Sequence, residues 1–346
     1  PFLIGAASFA VGLVIAGTAN SMWMLLGGRA LQGAGSGIFV SLSFVAVRRG
    51  YAEDRQPAMY ALISTGWILP SLISPFIAGW ITSTVGWRWV FIGMLPLAGI
   101  VALLAVPQLS AVDARTVLDE LPDRSRIPLA LRIASGIALM TAASYSSRWW
   151  LVLSLAATGG VIVVVALRRL MPPGLLTARP GRPAAIAARM CAMAAFNGAD
   201  FFIPLAARRV HDASPTVQGA TILGAAVGWN LGQWLAVRIG ARVGFQRLVP
   251  AGFVVLAAGA ASSIAILSSG TPLWVTAITW SVGGLGMGVL FNPTSQVGMG
   301  SSSAGAAGLA STQLNVADVF GFSVMAAVGG ALVSFADQTS LRLTTA

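Results

Sequence analysis

Eleven apolar runs of membrane length limit what this chain can become. They cover residues 2–19, 22–46, 58–84, 88–107, 129–146, 149–167, 184–206, 219–238, 249–268, 272–291 and 304–334. A helix crossing the hydrocarbon core of a bilayer needs about 20 predominantly apolar residues, at a rise of about 1.5 Å each. Lipid offers the backbone no hydrogen bonds, and a helix satisfies its own within one segment. Hydrophobic residues make up 56% of the chain and charged residues only 9%, where a soluble domain carries roughly a quarter charged. The fold class that follows is an all-α polytopic membrane protein with about eleven transmembrane helices. Pro70, Pro75, Pro96 and Pro204 fall within runs, and bundled membrane helices tolerate the resulting kinks because neighbours re-satisfy the freed backbone groups.

The arginines test this count. All 21 basic residues are Arg, and the net charge of +11 gives a sequence pI near 11.6. Such a balance raises the possibility of nucleic-acid binding. The arginines, however, sit between apolar runs, so membrane orientation explains them and a nucleic-acid partner is not expected. If the loops alternate sides, Arg48, Arg49, Arg55, Arg115, Arg124, Arg126, Arg132, Arg168, Arg169, Arg179, Arg182, Arg189, Arg238, Arg242 and Arg247 share one side. Only Arg88, Arg148, Arg208, Arg209 and Arg342 fall on the other. The arginine-rich side is cytoplasmic, so the chain enters from the cytoplasm and finishes outside. One Cys (Cys191) and one His (His211) leave no intramolecular disulfide and no Cys/His metal cluster. No metal and no cofactor is expected. The opening "PFLIGAAS" lacks both an initiator Met and the charged start of a signal peptide, and reads as the start of a fragment.

Three ionisable residues inside runs are singled out: Arg29, Asp200 and Asp318. A charge in hydrocarbon costs several kcal/mol, so such residues face a bundle interior or an aqueous cavity and are functional candidates. Each also has a structural reading. Arg29 shares a helical face with Gln32 and Gly33; it either senses a proton or substrate or snorkels towards the outer surface. Gly33, Gly35 and Gly37 allow a second backbone to come close. Asp200 has Asn197 three residues before it and Pro204 four after it; it is a proton carrier or the acceptor of an interhelical hydrogen bond. Asp318, with Asn315 and Gln313 nearby, lines a cavity or serves packing. Gly224, Gly228 and Gly232 repeat at every fourth residue beside Trp229, Asn230, Gln233 and Trp234, and suggest close packing, with the tryptophans as interface anchors or stacking surfaces. Asn197, Asn230, Gln233, Asn315 and Gln32 are the cavity-lining candidates. No Ser/His/Asp set and no paired carboxylates assemble into a catalytic constellation, so an enzyme is not expected.

These residues resemble the major facilitator superfamily, especially its drug:proton antiporter branches. "GRALQGAGSG" (28–37) is similar to the family's fourth-helix motif, in which the arginine, here Arg29, is associated with proton coupling. "GWILPSLISPFIAGW" (66–80) resembles the glycine-rich fifth-helix antiporter motif through Gly66, Pro75 and Gly79, with Ser74 and Ala78 where the family usually has glycine. "WRWVFIGMLPL" (87–97) looks like the next helix entry, and "LAVRIGARVGFQR" (235–247) weakly resembles a loop motif of the second half, without its acid.

The resemblance implies a two-bundle fold. Residues 1–107 would be the remainder of the N-terminal bundle (family helices three to six), 108–128 a cytoplasmic central loop, 129–182 an extra central helix pair with a cytoplasmic loop, and 183–346 the C-terminal bundle without its last helix. Three missing helices then complete the 14-helix branch. It also implies a monomeric secondary transporter in the cytoplasmic membrane of a bacterium. Its partners would be the lipid bilayer, protons and a small amphiphilic substrate exported as two halves rock about a midplane site. Three other readings stay open: a metabolite or nutrient facilitator or symporter, a membrane scaffold or sensor, and, least favoured by the residues, a membrane enzyme.

Overall fold

A computed structural model describes residues 2–52, 55, 59, 66, 68–110, 127–143, 149–299 and 304–344. Most of the central loop at 108–128 lies outside the described residues, as does the start of the run at 58–84. In chain order the helices are α1 (Phe2–Gly17), α2 (Met22–Gly50), α3 (Ile68–Thr84), α4 (Arg88–Ile92), α5 (Met94–Ser110), α6 (Ile127–Ala143) and α7 (Trp149–Leu170). There follow α8 (Arg182–His211), α9 (Pro215–Val243), α10 (Phe245–Ser263), a short 3-10 turn (Ile264–Leu267), α11 (Leu273–Met299) and α12 (Ala304–Thr344). Among the described residues the apolar runs have become helix, with α4 and α5 sharing the run at 88–107.

The spans Arg88–Ala105, Trp150–Leu170, Arg182–His211, Gln246–Leu267 and Leu273–Met299 are each long and apolar enough to cross a bilayer. Pro96 turns out to occupy the first turn of α5, at its third residue, where a missing N–H breaks no helical bond. Pro75 and Pro204 are interior.

The chain divides into two compact units, residues 1–122 with 213–220, and residues 123–212 with 221–346. In the first, α1 and α2 pack backbone to backbone. A Cβ at Gly12 would lie 2.7 Å from the carbonyl oxygen of Gly28, and one at Gly35 would lie 2.6 Å from that of Gly5. Arg88 donates from Nη2 to the carbonyl of Ala19 at 2.9 Å, tying the exit of α1 to the start of α4. In the same unit Gly79 of α3 lies against the carbonyl of Pro215, and Gly219 against that of Pro75. The Ser83 and Thr216 hydroxyls are 2.9 Å apart.

In the second unit α6 and α7 pair through Gly136 and Gly159. Their apolar faces, including Ile133, Val163, Leu167 and Leu170, form one core with Ile186 of α8 and Leu314 and Ala317 of α12. α6 and α7 thus share a compact unit with α8 and α12. α9 lies on α11 with almost no space between backbones: Gly224, Gly228 and Gly232 abut the carbonyls of Ala277, Ser281 and Leu285 in turn. Gly284 and Gly288 of α11 answer against Ala225 and Trp229. Numbers rise together along this seam, so the two helices run parallel. α8 and α12 are also parallel, with contacts rising from Met190–Gly321 through Gly198–Met325 to Phe202–Gly329.

Candidate functional site

α8 organises the polar interior of the second unit. It begins where Gly181 adopts a left-handed φ of 95° and Pro183 follows within the first turn; both residues suit a helix start. Arg182 donates from Nη2 to Gln313 Oε1 at 2.6 Å, and Gln313 Nε2 donates to the carbonyl of Leu170 at 2.7 Å. The α7 exit, the α8 entrance and α12 are joined by these two bonds.

Two turns further along α8 is Arg189, only 5% exposed. Its Nε donates to Asp318 Oδ1 at 2.6 Å and its Nη2 to Oδ2 at 2.8 Å. Nη1 donates to Ser295 Oγ at 2.5 Å and to the carbonyl of Phe291 at 3.3 Å. The guanidinium carbon stands 3.4 Å from the centre of the Phe291 ring. A planar guanidinium suits this work, since its rigid fork matches a carboxylate while its face stacks on a ring. Both carboxylate oxygens of Asp318 are engaged by one cation, and helices α8, α11 and α12 meet there.

Asp200 is three turns beyond Arg189 and is served differently. Its Oδ1 accepts from Trp280 Nε1 at 2.8 Å, and no ion pair reaches it among the described residues. Trp280 is fully buried. Its ring stacks on Phe196 (centroids 5.2 Å apart), Phe196 meets Trp229 edge-on at 5.0 Å, and Trp229 meets Phe291 at 5.2 Å. A row of four aromatic rings therefore connects the Asp200 hydrogen bond with the Arg189–Asp318 pair.

The other sequence candidates distribute as follows. Asn197 turns its amide back to the carbonyl of Met193 at 2.9 Å, and Asn230 does the same to Ala226 at 2.8 Å. Gln233 is half-buried, with its backbone carbonyl accepting from Asn292 at 3.3 Å. Asn315 is exposed. Trp229 belongs to the aromatic row, whereas Trp234 is exposed and carries the Arg238 guanidinium 3.7 Å from its ring centre. His211 ends α8 and donates from Nε2 to the carbonyl of Ile266 at 2.8 Å.

In the first unit Arg29 is exposed, donates to Gln32 Oε1 at 2.5 Å and stands 5.9 Å from the Phe91 ring centre. Of its neighbouring glycines, Gly35 makes the close helix contact, Gly37 is exposed, and a Cβ at Gly33 would meet nothing within 4 Å. Gly28 and Gly12 supply the second point of that contact. Gly66 is exposed, while Pro75 and Gly79 face the start of α9.

Arg189 and Trp280 are the residues that sequence reasoning missed. Arg189 was grouped with the loop arginines of the cytoplasmic side, but it lies inside α8, seven residues after Arg182. That spacing returns to the same helical face and was the available signal.

The sequence profile of the Major Facilitator Superfamily matches residues 1–326. The chain belongs to this superfamily. Members among the relatives include a probable multidrug-efflux transporter of Mycobacterium tuberculosis, 26% identical over 303 residues, which cover 83% of this chain and 64% of the relative. Azole resistance protein 1 of Saccharomyces cerevisiae is 38% identical over 96 residues, 28% of this chain and 16% of that protein. An MFS-type efflux pump of a Fusarium species is 33% identical over 146 residues, 41% of this chain and 26% of the pump. The chain thus spans under two thirds of the length of these superfamily relatives. It is a multi-pass membrane protein.

Proposed function

We propose that this superfamily member is a secondary transporter of the cytoplasmic membrane that exports small amphiphilic organic molecules in exchange for protons. The observation that carries this reading is Asp200: an acid within an apolar helix whose hydrogen-bond partner is the neutral indole N–H of Trp280. An intramembrane acid without a counter-ion is costly unless it has work to do, and proton relays are a common use. Membership of the superfamily supports transport, and relatives named as efflux pumps support export. Protonation drives the cycle if the protonated and deprotonated acid favour different conformations. Arg29 and Asp318 are the further candidates of the coupling machinery, with Arg29 tuning an acid or touching substrate. The protein works as a monomer in the bilayer, by alternating access.

The test is a proton-flux assay on the full-length protein in liposomes with a panel of lipophilic cations. Substrate-dependent proton movement that Asp200→Asn abolishes is the expected result. Transport that persists unchanged after collapse of the proton gradient would instead identify a facilitator.

A further inference from the structure

Two carboxylates lie in the interior of the second unit, and their surroundings differ in kind. Asp318 gives both oxygens to Arg189, and the guanidinium is further held by Ser295, the Phe291 carbonyl and the Phe291 ring. Removing one partner from such a pair strands a buried charge, so neither side exchanges its proton cheaply. Asp200 has, among the described residues, a single neutral donor. Pro204, four residues on, has no N–H for the Asp200 backbone carbonyl, which leaves a spare acceptor beside the carboxyl group. One turn along α11 from Trp280, on the same helical face, Thr276 is 1% exposed and its hydroxyl is buried without a hydrogen-bond partner among the described residues. A buried hydroxyl with unused hydrogen-bonding capacity is a second polar group on that face of α11.

The charged groups on the surrounding elements do not compete for Asp200. α11 and the 3-10 turn carry no titratable residue. α10 carries only Arg247, at its first turn, and α9 carries Arg238 and Arg242 in its last turns. α12 offers Asp318, already paired, besides Asp337 and Arg342 far along the helix. On α8 itself are Arg182 and Arg189, both engaged with α12, then Cys191, and Arg208, Arg209 and His211 in the last turn.

We propose that the two acids have separate jobs. Asp200, held by Trp280, is the group that takes up and releases the transported proton, and Arg189 is a positioning residue that keeps Asp318 permanently ionised as the tie between α8 and α12. The inference rests on the proton-coupled reading above and names the residues that divide the work. In the uptake step the proton adds to a carboxylate oxygen of Asp200, converting it to the neutral acid; in release the same O–H bond breaks and the proton leaves with water. Trp280 keeps its N–H throughout.

A lipid-soluble carbodiimide separates the two acids, because it adds to protonated carboxyl groups in apolar surroundings. The full-length protein in membrane vesicles is treated with dicyclohexylcarbodiimide, digested, and its adducts located by mass spectrometry. The expected result is an adduct on Asp200 that fades as the pH is raised, and none on Asp318. Arg189→Gln then exposes Asp318 to labelling, while Arg189→Lys, which keeps the positive charge, leaves it unlabelled. Trp280→Phe, which keeps the stacking ring, shifts the pH at which Asp200 labelling is half complete.

Labelling of Asp318 in the wild type, or an unlabelled Asp200 at every pH, overturns the proposal. An unchanged labelling profile in Trp280→Phe overturns the role of the indole. Labelling is read without any substrate, so the absence of proton flux with every substrate would sink the antiport reading and Asp200's part in it, while labelling still reads whether Asp200 is the protonatable acid and Asp318 the ionised one. Proton flux that survives in Asp200→Asn would sink this assignment alone.

Discussion

Breaking and then replacing the Arg189–Asp318 pair gives a quantitative check on the interior of the second unit. Arg189→Gln leaves the Asp318 carboxylate facing a neutral amide, and Asp318→Asn leaves the guanidinium without its counter-charge. Each side chain is largely buried, at 6% and 21% exposure, so solvent screening does little to soften the loss. Stranding one member of a buried pair costs about 3–5 kcal/mol. On the scale of about 2–4 °C per kcal/mol for a domain of this size, each single variant should melt roughly 6–20 °C lower.

The double variant removes both charges together. Its two amides can bond to each other, and the remaining deficit is the lost stacking on Phe291 and bond to Ser295, about 1–3 kcal/mol. Melting in detergent, followed by loss of the monodisperse peak in size-exclusion chromatography, reads all four proteins. A double variant more stable than either single, with a coupling of about 2 kcal/mol or more, is expected. If the double variant loses as much as the two singles added together, the pair contributes no coupling and the reasoning fails.

Other expectations follow from the same packing and polar interior. Gly228→Ala drives a methyl into the Ser281 carbonyl and should cost about 1–3 kcal/mol by overpacking, read as a lower melting temperature and yield. Gly33→Ala meets open space and should match or exceed wild-type stability, with a gain of up to about 1 kcal/mol from helix propensity; a loss comparable to Gly228→Ala would show a contact there. Ser295→Ala removes one charge-assisted bond to Arg189 and should cost about 1.5–3 kcal/mol in the same melt, less than either ion-pair variant.

The helices were legible in the sequence because lipid leaves the backbone little choice. Among the described residues the apolar runs became helix, and Gly224, Gly228 and Gly232 did mark a tight seam. What the sequence left open was partnership. Arg189 looked like a loop charge because charge counting tracks distance from an apolar run, while its fate depends on Asp318, 129 residues away. Trp280 is one of 11 tryptophans, and only the approach of α8 to α11 reveals that its N–H points at Asp200. The glycines of 28–37 were singled out together, yet Gly35 packs and Gly33 does not. The helical phase relative to a neighbour, rather than composition, decides which is which. Asn197 and Asn230 likewise satisfy themselves on their own helices, an option open to any amide one turn from a carbonyl.

Proton movement with and without the Asp200 carboxylate is the decisive measurement. The full-length protein is reconstituted in liposomes enclosing a pH-sensitive dye, and a lipophilic cation is added. Substrate-driven proton flux is expected in the wild type, and its loss in Asp200→Asn, in protein that remains folded. Equal flux in the two would contradict it.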